Sequence, residues 1–373
     1  MKKLKVIISG GGTGGHIFPA ISIANELKER LPEVEILFVG ALGKMEMERV
    51  PAAGYRIIGL PVIGLPRKFS FKMLGFFLKL FQSMRLAHKV ILDFKPDVAI
   101  GVGGFASGPV LKAAVRSGVP AVLQEQNSYA GVTNKLLSSK VKKICVAYPN
   151  MERYFPKEKL VLTGNPIRRN LIEAVVNTSK AFEHFSLDEA KQVVLIIGGS
   201  LGARTINESV MANLELIRQS DVQVIWQTGS FYYSEMLERL GTDGPSNLYP
   251  MEFISQMDMA YAVADVVISR AGAGTISELC LLAKPCILVP SPNVAEDHQS
   301  KNAMALVENH AAILIRDADS KGQLFQQTFS LLADETRLKA LSENIKKLAR
   351  PNAARDIVDV ILEVVKNLNA KIN

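Results

Sequence analysis

Apolar residues in this chain arrive in short β-branched runs. Each run gives way to a polar or glycine-rich turn, and then to a stretch with helical spacing. Val6 to Ile8 opens the series; after a loop of glycines, Ala20, Ile21, Ile23, Ala24 and Leu27 recur along one helix face. The alternation predicts strands near 4–9, 35–39, 98–101, 120–123 and 143–147 in the first half of the chain. In the second half it predicts strands near 193–197, 222–227, 266–269, 286–289 and 312–315. Runs this apolar suit parallel strands covered by helices on both faces. Residues 335–349 read as a Lys- and Arg-rich helix, Pro351 breaks it, and a last amphipathic helix follows over about 353–368.

The opening unit is written a second time. Residues 193–204 read Val-Val-Leu-Ile-Ile-Gly-Gly-Ser-Leu-Gly-Ala-Arg, again a strand, a glycine turn and a helix start. Two such units predict an α/β fold of two Rossmann-like domains with parallel sheets, facing across a cleft lined by loops 10–16, 101–109, 198–204 and 270–278. Gly164 and Asn165-Pro166 punctuate the boundary. The expected first domain is 1–164 and the second 165–350, with a terminal helix over about 351–373 packing back on the first.

The chemistry concentrates in the turns. Residues 9–16 read Ser-Gly-Gly-Gly-Thr-Gly-Gly-His, a loop that aims backbone N–H groups and a helix N-terminus at an anion. It lacks the Gly-Lys-Ser/Thr ending of a P-loop. Gly10, Gly12 and Gly15 satisfy the dinucleotide pattern, but the second strand ends in Gly40 and the nearest acid beyond it is Glu46, in a predicted helix. That weakens an NAD reading. Residues 265–278 end in Arg-Ala-Gly-Ala-Gly-Thr-Ile-Ser-Glu, where a helix is expected to begin near Thr275 and its N–H groups suit a diphosphate. Glu278, one turn in, either accepts from the paired hydroxyls of a ribose or closes a capping box with Thr275. Asp297, His298 and Gln299 open a later helix, placed to touch a sugar or, for Asp297, to cap it.

Composition narrows the partners. The chain has 373 residues, 48% hydrophobic and 21% charged, enough for two cores. Its net charge of +8 favours an anionic partner. Cys145, Cys280 and Cys286 have no metal-ligand spacing and read as buried thiols of a reducing compartment. The first apolar run breaks at Ser9, so it is not read as a signal peptide. No apolar run reaches the roughly 18 residues that span a bilayer. Asp317-Ala-Asp319 has the spacing of a metal-binding Asp-x-Asp, but it follows a strand and leads into a helix, which reads as a loop and cap. No metal and no cofactor are expected.

Six segments in register carry a resemblance. They are Gly-Gly-Thr-Gly-Gly-His (11–16), Glu-Gln-Asn (125–127), Gly-Asn-Pro-Ile-Arg (164–168), Gly-Gly-Ser-Leu-Gly-Ala (198–203), Arg-Ala-Gly-Ala-Gly-Thr-Ile-Ser-Glu (270–278) and Asp-His-Gln (297–299). Over nearly the whole chain this set resembles the MurG family of bacterial peptidoglycan glycosyltransferases. The resemblance implies a GT-B fold and inverting, metal-independent transfer of N-acetylglucosamine from UDP-GlcNAc to lipid I, giving lipid II. It implies donor contacts at Thr13, Gly14, Gly15, Asn127, Arg168, Ser200, Ile254, Ala273, Gly274, Thr275, Ile276, Ser277, Glu278 and Gln299. Ile254 would read the uracil through its backbone, Ser200 and the 273–275 turn would meet the diphosphate, and Gln299 the sugar hydroxyls. Some members carry a second Gln where this chain has Ser300. His16 is the candidate base, or a donor to acceptor phosphate, with Asn127 and Glu278 beside it as catalytic candidates.

Residues 67–85 combine Phe69, Phe71, Phe76, Phe77 and Phe81 with Arg67, Lys68, Lys72, Lys79 and Arg85, and contain no acid. This reads as a basic amphipathic helix lying in a lipid interface, or as a core helix with a charged outer face. A lipid-linked acceptor favours the first, which places the protein peripherally on the cytoplasmic face of the plasma membrane, at an anionic surface. Cell-wall synthesis and division proteins become candidate partners; nucleic acid does not. The competing readings are a UDP-GlcNAc 2-epimerase-like enzyme, an NAD-dependent oxidoreductase and a non-catalytic membrane-associated nucleotide-sugar-binding protein.

Overall fold

The computed structural model describes residues 3–12, 14–62, 72–167, 171 and 177–372. The chain divides into two compact units, Met1–Arg168 with Asn352–Asn373, and Arg169–Pro351.

The first unit holds a seven-stranded sheet among the described residues. Its strands are β1 (Lys5–Ser9), β2 (Glu35–Ala41), β3 (Arg56–Leu60), β4 (Val98–Gly101), β5 (Ala121–Glu125), β6 (Lys143–Val146) and β7 (Leu160–Leu162), in the spatial order 3-2-1-4-5-6-7. Every pairing is parallel. The second unit repeats the plan with β8 (Val193–Ile197), β9 (Gln223–Gln227), β10 (Leu248–Met251), β11 (Val266–Ser269), β12 (Cys286–Leu288) and β13 (Ile313–Leu314), in the order 10-9-8-11-12-13, again all parallel. In each sheet the order reverses beside the first strand, between β1 and β4 and between β8 and β11. Open α/β sheets bind ligands outside the carboxyl ends of strands at such a reversal. All four loops carrying the glycine-rich segments leave those strand ends.

The apolar runs are double-faced. Ile7 packs into one layer while Val6 and Ile8 pack into the opposite one. Val193, Leu195 and Ile197 likewise face one layer and Val194 and Ile196 the other. Burial of both faces explains why these strands read as continuous hydrophobic runs. The three cysteines lie in these layers. Burial pushes the Cys145 and Cys280 thiols up to about 12, and Cys286 higher still, which leaves them protonated and inert. The last helix, Ala353–Ile372, packs on Gly14–Arg30, with Ile357, Val358 and Ile361 buried in the first unit's core.

Three strands were not foreseen: Arg56–Leu60, Leu160–Leu162 and Leu248–Met251. Each is an edge of its sheet. Leu160–Leu162 is only three residues long, Arg56 and Gly59 interrupt the apolar run of Arg56–Leu60, and Pro250 in Leu248–Met251 is tolerated because an edge residue has a ladder on one side only.

Candidate functional site

In the first unit the glycine loop leaves β1 and runs into the helix Gly14–Arg30. Ser9 is buried and its hydroxyl donates to Val39 O at 2.9 Å. The glycines are there because two backbones meet. A Cβ on Gly104, whose φ is +83°, would overlap Gly11 O, and a Cβ on Gly10 would overlap the Val102 side chain. A Cβ on Gly103 (φ +93°) would lie 2.7 Å from His16 Cδ2 and 2.8 Å from Nε2, so the imidazole rests against that glycine. Gly14, Gly15 and His16 are the first residues of the helix, where N–H groups have no intrahelical partner. Thr13 lies outside the described residues.

Glu46 plays a part the sequence did not reveal. It begins the helix Glu46–Ala52 and is 1% exposed. Its carboxylate accepts from Gly12 N and from Ala41 N, both at 2.9 Å. The end of β2, where a dinucleotide fold keeps an acid for ribose, carries none, and the nearest carboxylate beyond it, Glu46, is turned inward onto the glycine loop.

Three distant segments converge on the loop after β5. Glu125 Oε1 accepts from Asn127 N at 3.1 Å and from Asn127 Nδ2 at 3.4 Å. Its Oε2 accepts from Gly131 N at 2.9 Å and Asn134 Nδ2 at 2.8 Å. Burial raises the Glu125 pKa, and these four bonds pull against that rise. A buried amide chain continues from Gln124 Nε2 to Asn165 Oδ1 (2.9 Å), from Asn165 Nδ2 to Gln126 O (3.0 Å), and from Gln126 Nε2 to Val102 O (3.1 Å). The 125–127 and 164–165 segments and the loop after β4 therefore act as one assembly. Arg168 lies outside the described residues.

In the second unit the loop Gly198–Ala203 follows β8 and leaves Ser200 exposed. It locks against the turn after β9, since a Cβ on Gly229 would overlap the Gly202 backbone. Ile254 is buried, and its N–H donates to Gln227 Oε1 at 3.1 Å. The helix after β11 is Ala273–Leu281, with Gly272 at its N-cap position and no side-chain cap bond. It begins two residues before the expected Thr275, so Thr275 sits in its first turn and the Thr275–Glu278 capping box is out of register. The small residues of the turn let the helix start at once. Ala273 and Ile276 are buried, Gly274, Thr275 and Ser277 half-buried, and Ser277 Oγ donates to Ala273 O at 2.9 Å. Glu278 is 8% exposed, and its Oε2 accepts from the buried Tyr261 hydroxyl at 3.0 Å. Its carboxylate is oriented by a phenol that no local pattern announced.

The helix His298–Val307 is tied back to that turn by Asn302, whose Nδ2 donates to Ala271 O at 3.4 Å. Gln299 Oε1 accepts from Ser291 N at 2.9 Å. Glu296 (φ +54°) and Asp297 (φ +51°) are both left-handed, an arrangement that costs on the order of 1–3 kcal/mol per residue. Asp297 stands at the N-cap position without capping; its Oδ1 accepts from Ser300 Oγ at 2.7 Å.

Asp317 departs from the expected loop-and-cap role. Residues Asp317–Asp319 form a 3-10 turn. The Asp317 carboxylate pairs with Arg270 and accepts from Thr205 Oγ1 at 2.8 Å. Arg270 Nη1 also donates to Val289 O at 3.0 Å, so the ion pair pins the turn after β11 to the end of β12. Asp319 occupies the N-cap position of Ser320–Leu332 without a cap bond and pairs with Arg316 at 2.7 Å.

The helix Lys72–Phe94 of the first unit has two different halves. Ala87, Val90 and Ile91 pack into the core. Phe77, Leu78 and Phe81 are 54%, 57% and 62% exposed, and Phe76 stacks edge-on against Phe77 at 5.5 Å. Within 67–85, Ser83 is buried and Phe76, Leu80 and Met84 are half-buried, so part of the segment packs inward as the core-helix alternative expects. Lys79, Arg85 and Lys89 are exposed around the apolar group, with the Arg85 guanidinium 5.8 Å from the Phe81 ring. Phe69 and Phe71 lie outside the described residues, as does the Lys72 side chain. Among the described residues no helix is long and apolar enough to cross a membrane.

The glycosyltransferase family 28 N-terminal domain model matches residues 6–146, and the glycosyltransferase family 28 C-terminal domain model matches residues 193–358. A relative from Parabacteroides distasonis, named UDP-N-acetylglucosamine--N-acetylmuramyl-(pentapeptide) pyrophosphoryl-undecaprenol N-acetylglucosamine transferase, is 55% identical over 98% of this chain and 99% of its own. One of the same name from Bacteroides thetaiotaomicron is 54% identical over 99% of this chain and 100% of its own. The crystal structure of Acinetobacter baumannii MurG superposes with a TM-score of 0.77 at 27% identity, covering 96% of this chain and 99% of that one. With both family 28 domains in order and more than half its residues shared with full-length relatives, this chain belongs to the MurG family of glycosyltransferases.

Proposed function

We infer that this chain transfers N-acetylglucosamine from UDP-GlcNAc to the N-acetylmuramyl sugar of pyrophosphoryl-undecaprenol-linked MurNAc-pentapeptide, the step from lipid I to lipid II. The observation that carries the donor half is the Glu278 carboxylate, held nearly buried by Tyr261 in the first turns of the helix after β11. An acceptor-only group in that position suits the two hydroxyls of a ribose. The start of the same helix, Ala273 to Thr275, brings N–H groups and a positive dipole end to a diphosphate. Ser200 meets the diphosphate from the neighbouring loop, Ile254 reads the base through its backbone, and Gln299 meets the sugar.

The reaction requires the acceptor hydroxyl to lose a proton as it attacks the anomeric carbon, and UDP to leave with its negative charge stabilised. His16 takes the proton. The helix start at 273–275 and Arg168 stabilise the leaving group, so no metal is needed. Attack from the face opposite UDP inverts the anomeric centre. Thr13, Gly14, Gly15 and Asn127 complete the contacts.

The exposed half of Lys72–Phe94 lies on an anionic lipid surface, at the cytoplasmic face of the plasma membrane. Lys79, Arg85 and Lys89 contribute about 1 kcal/mol each at such a surface, and partial burial of Phe77, Leu78 and Phe81 adds a comparable amount. That total gives reversible, peripheral attachment. Labelled UDP-GlcNAc incubated with a short-chain lipid I analogue tests the assignment. Acceptor-dependent UDP release with a β-linked disaccharide product is expected; UDP-GlcNAc consumption independent of acceptor would refute it.

A further inference from the structure

Three adjacent strands of the second sheet, β10, β9 and β8, end side by side. The loops after the outer two carry Ile254 and Ser200. Gln227 is the last residue of the middle strand and is 4% exposed. Its Nε2 donates to Gly199 O at 3.0 Å, and its Oε1 accepts from Ile254 N at 3.1 Å. One partner is an acceptor and the other a donor, so a side chain must offer both on one planar group to bridge them. Next along the chain, Thr228 N donates to Met251 O at 2.9 Å, which closes the strand ends beneath this bridge.

We propose that Gln227 is a positioning residue for the nucleotide: its amide fixes the diphosphate-side loop at Gly199–Ser200 relative to the base-reading backbone at Ile254. The proposal rests on the donor assignment given under Proposed function.

The test measures the dissociation constant for UDP by calorimetry, and donor KM and kcat, for the wild-type chain, Gln227→Met and Gln227→Glu. Gln227→Met removes both bonds and is expected to weaken UDP binding roughly 10- to 30-fold, with the loss falling on donor KM rather than on kcat. Gln227→Glu keeps the shape but turns an ionised oxygen toward Gly199 O. Its UDP affinity, taken relative to the wild-type chain at the same pH, should recover as pH falls and the carboxyl gains a proton to donate. If Gln227→Met does not fold, Gln227→Glu carries the test alone. UDP affinity within twofold of wild type in the folded variants overturns the proposal and leaves the donor assignment standing. A wild-type chain that does not bind UDP overturns both.

Discussion

Glu278 shows how a site residue is made by its surroundings. The carboxylate is nearly buried and held by the Tyr261 hydroxyl. The proposed bonds to two ribose hydroxyls are worth about 3 kcal/mol, so Glu278→Ala should raise the UDP-GlcNAc dissociation constant roughly a hundredfold by calorimetry. Tyr261→Phe removes only the orienting bond, and about 1 kcal/mol predicts a roughly fivefold rise in donor KM with the fold intact. The position of Glu278 was legible because it lies one turn beyond a glycine-rich strand end. Tyr261, Glu46 and Gln227 were not, since their partners lie 17, 34 and 27 residues away and meet them only once the sheets form. The same is true of Asp317, whose pairing with Arg270 spans two strands.

At the scale of elements, the strand–glycine–helix units were legible because both faces of their strands are buried. Three of the four edge strands were not, because a short run, as at Leu160–Leu162, or an interrupting Arg56 or Pro250 hides the pattern. Helix starts shifted by a turn fraction where small residues permit it, as at Ala273. The paired loops after β1 and β4 make a sharper prediction. Gly103→Ala adds a methyl that must push the His16 ring aside, at a φ of +93°. It should lower kcat in the transfer assay while leaving UDP affinity, which the proposal gives chiefly to Glu278 and the 273–275 helix start, within about twofold; equal loss of both would remove His16 from the chemistry. The helix Lys72–Phe94 predicts a second separation. Phe77→Ser with Phe81→Ser should reduce co-sedimentation with anionic vesicles severalfold while activity on a water-soluble acceptor analogue persists.

At the scale of the whole chain, one doubly wound plan is used twice and specialised differently. In the first unit the acid near the glycine loop turns inward, and Glu46 occupies Gly12 N–H. In the second unit the carboxylate of Glu278 stands in the first turns of a helix whose start carries no side-chain cap bond. This difference supports the proposal that the nucleotide binds the second unit, although both carry glycine-rich turns that look alike in sequence. The most direct test is calorimetric titration of UDP-GlcNAc into the wild-type chain and into Glu278→Ala and Glu46→Gln. The account predicts saturable binding by the wild-type chain, a roughly hundredfold loss in Glu278→Ala, and wild-type affinity in any folded Glu46→Gln. Unchanged affinity in Glu278→Ala, with loss in a folded Glu46→Gln, would contradict it by placing the nucleotide in the first unit.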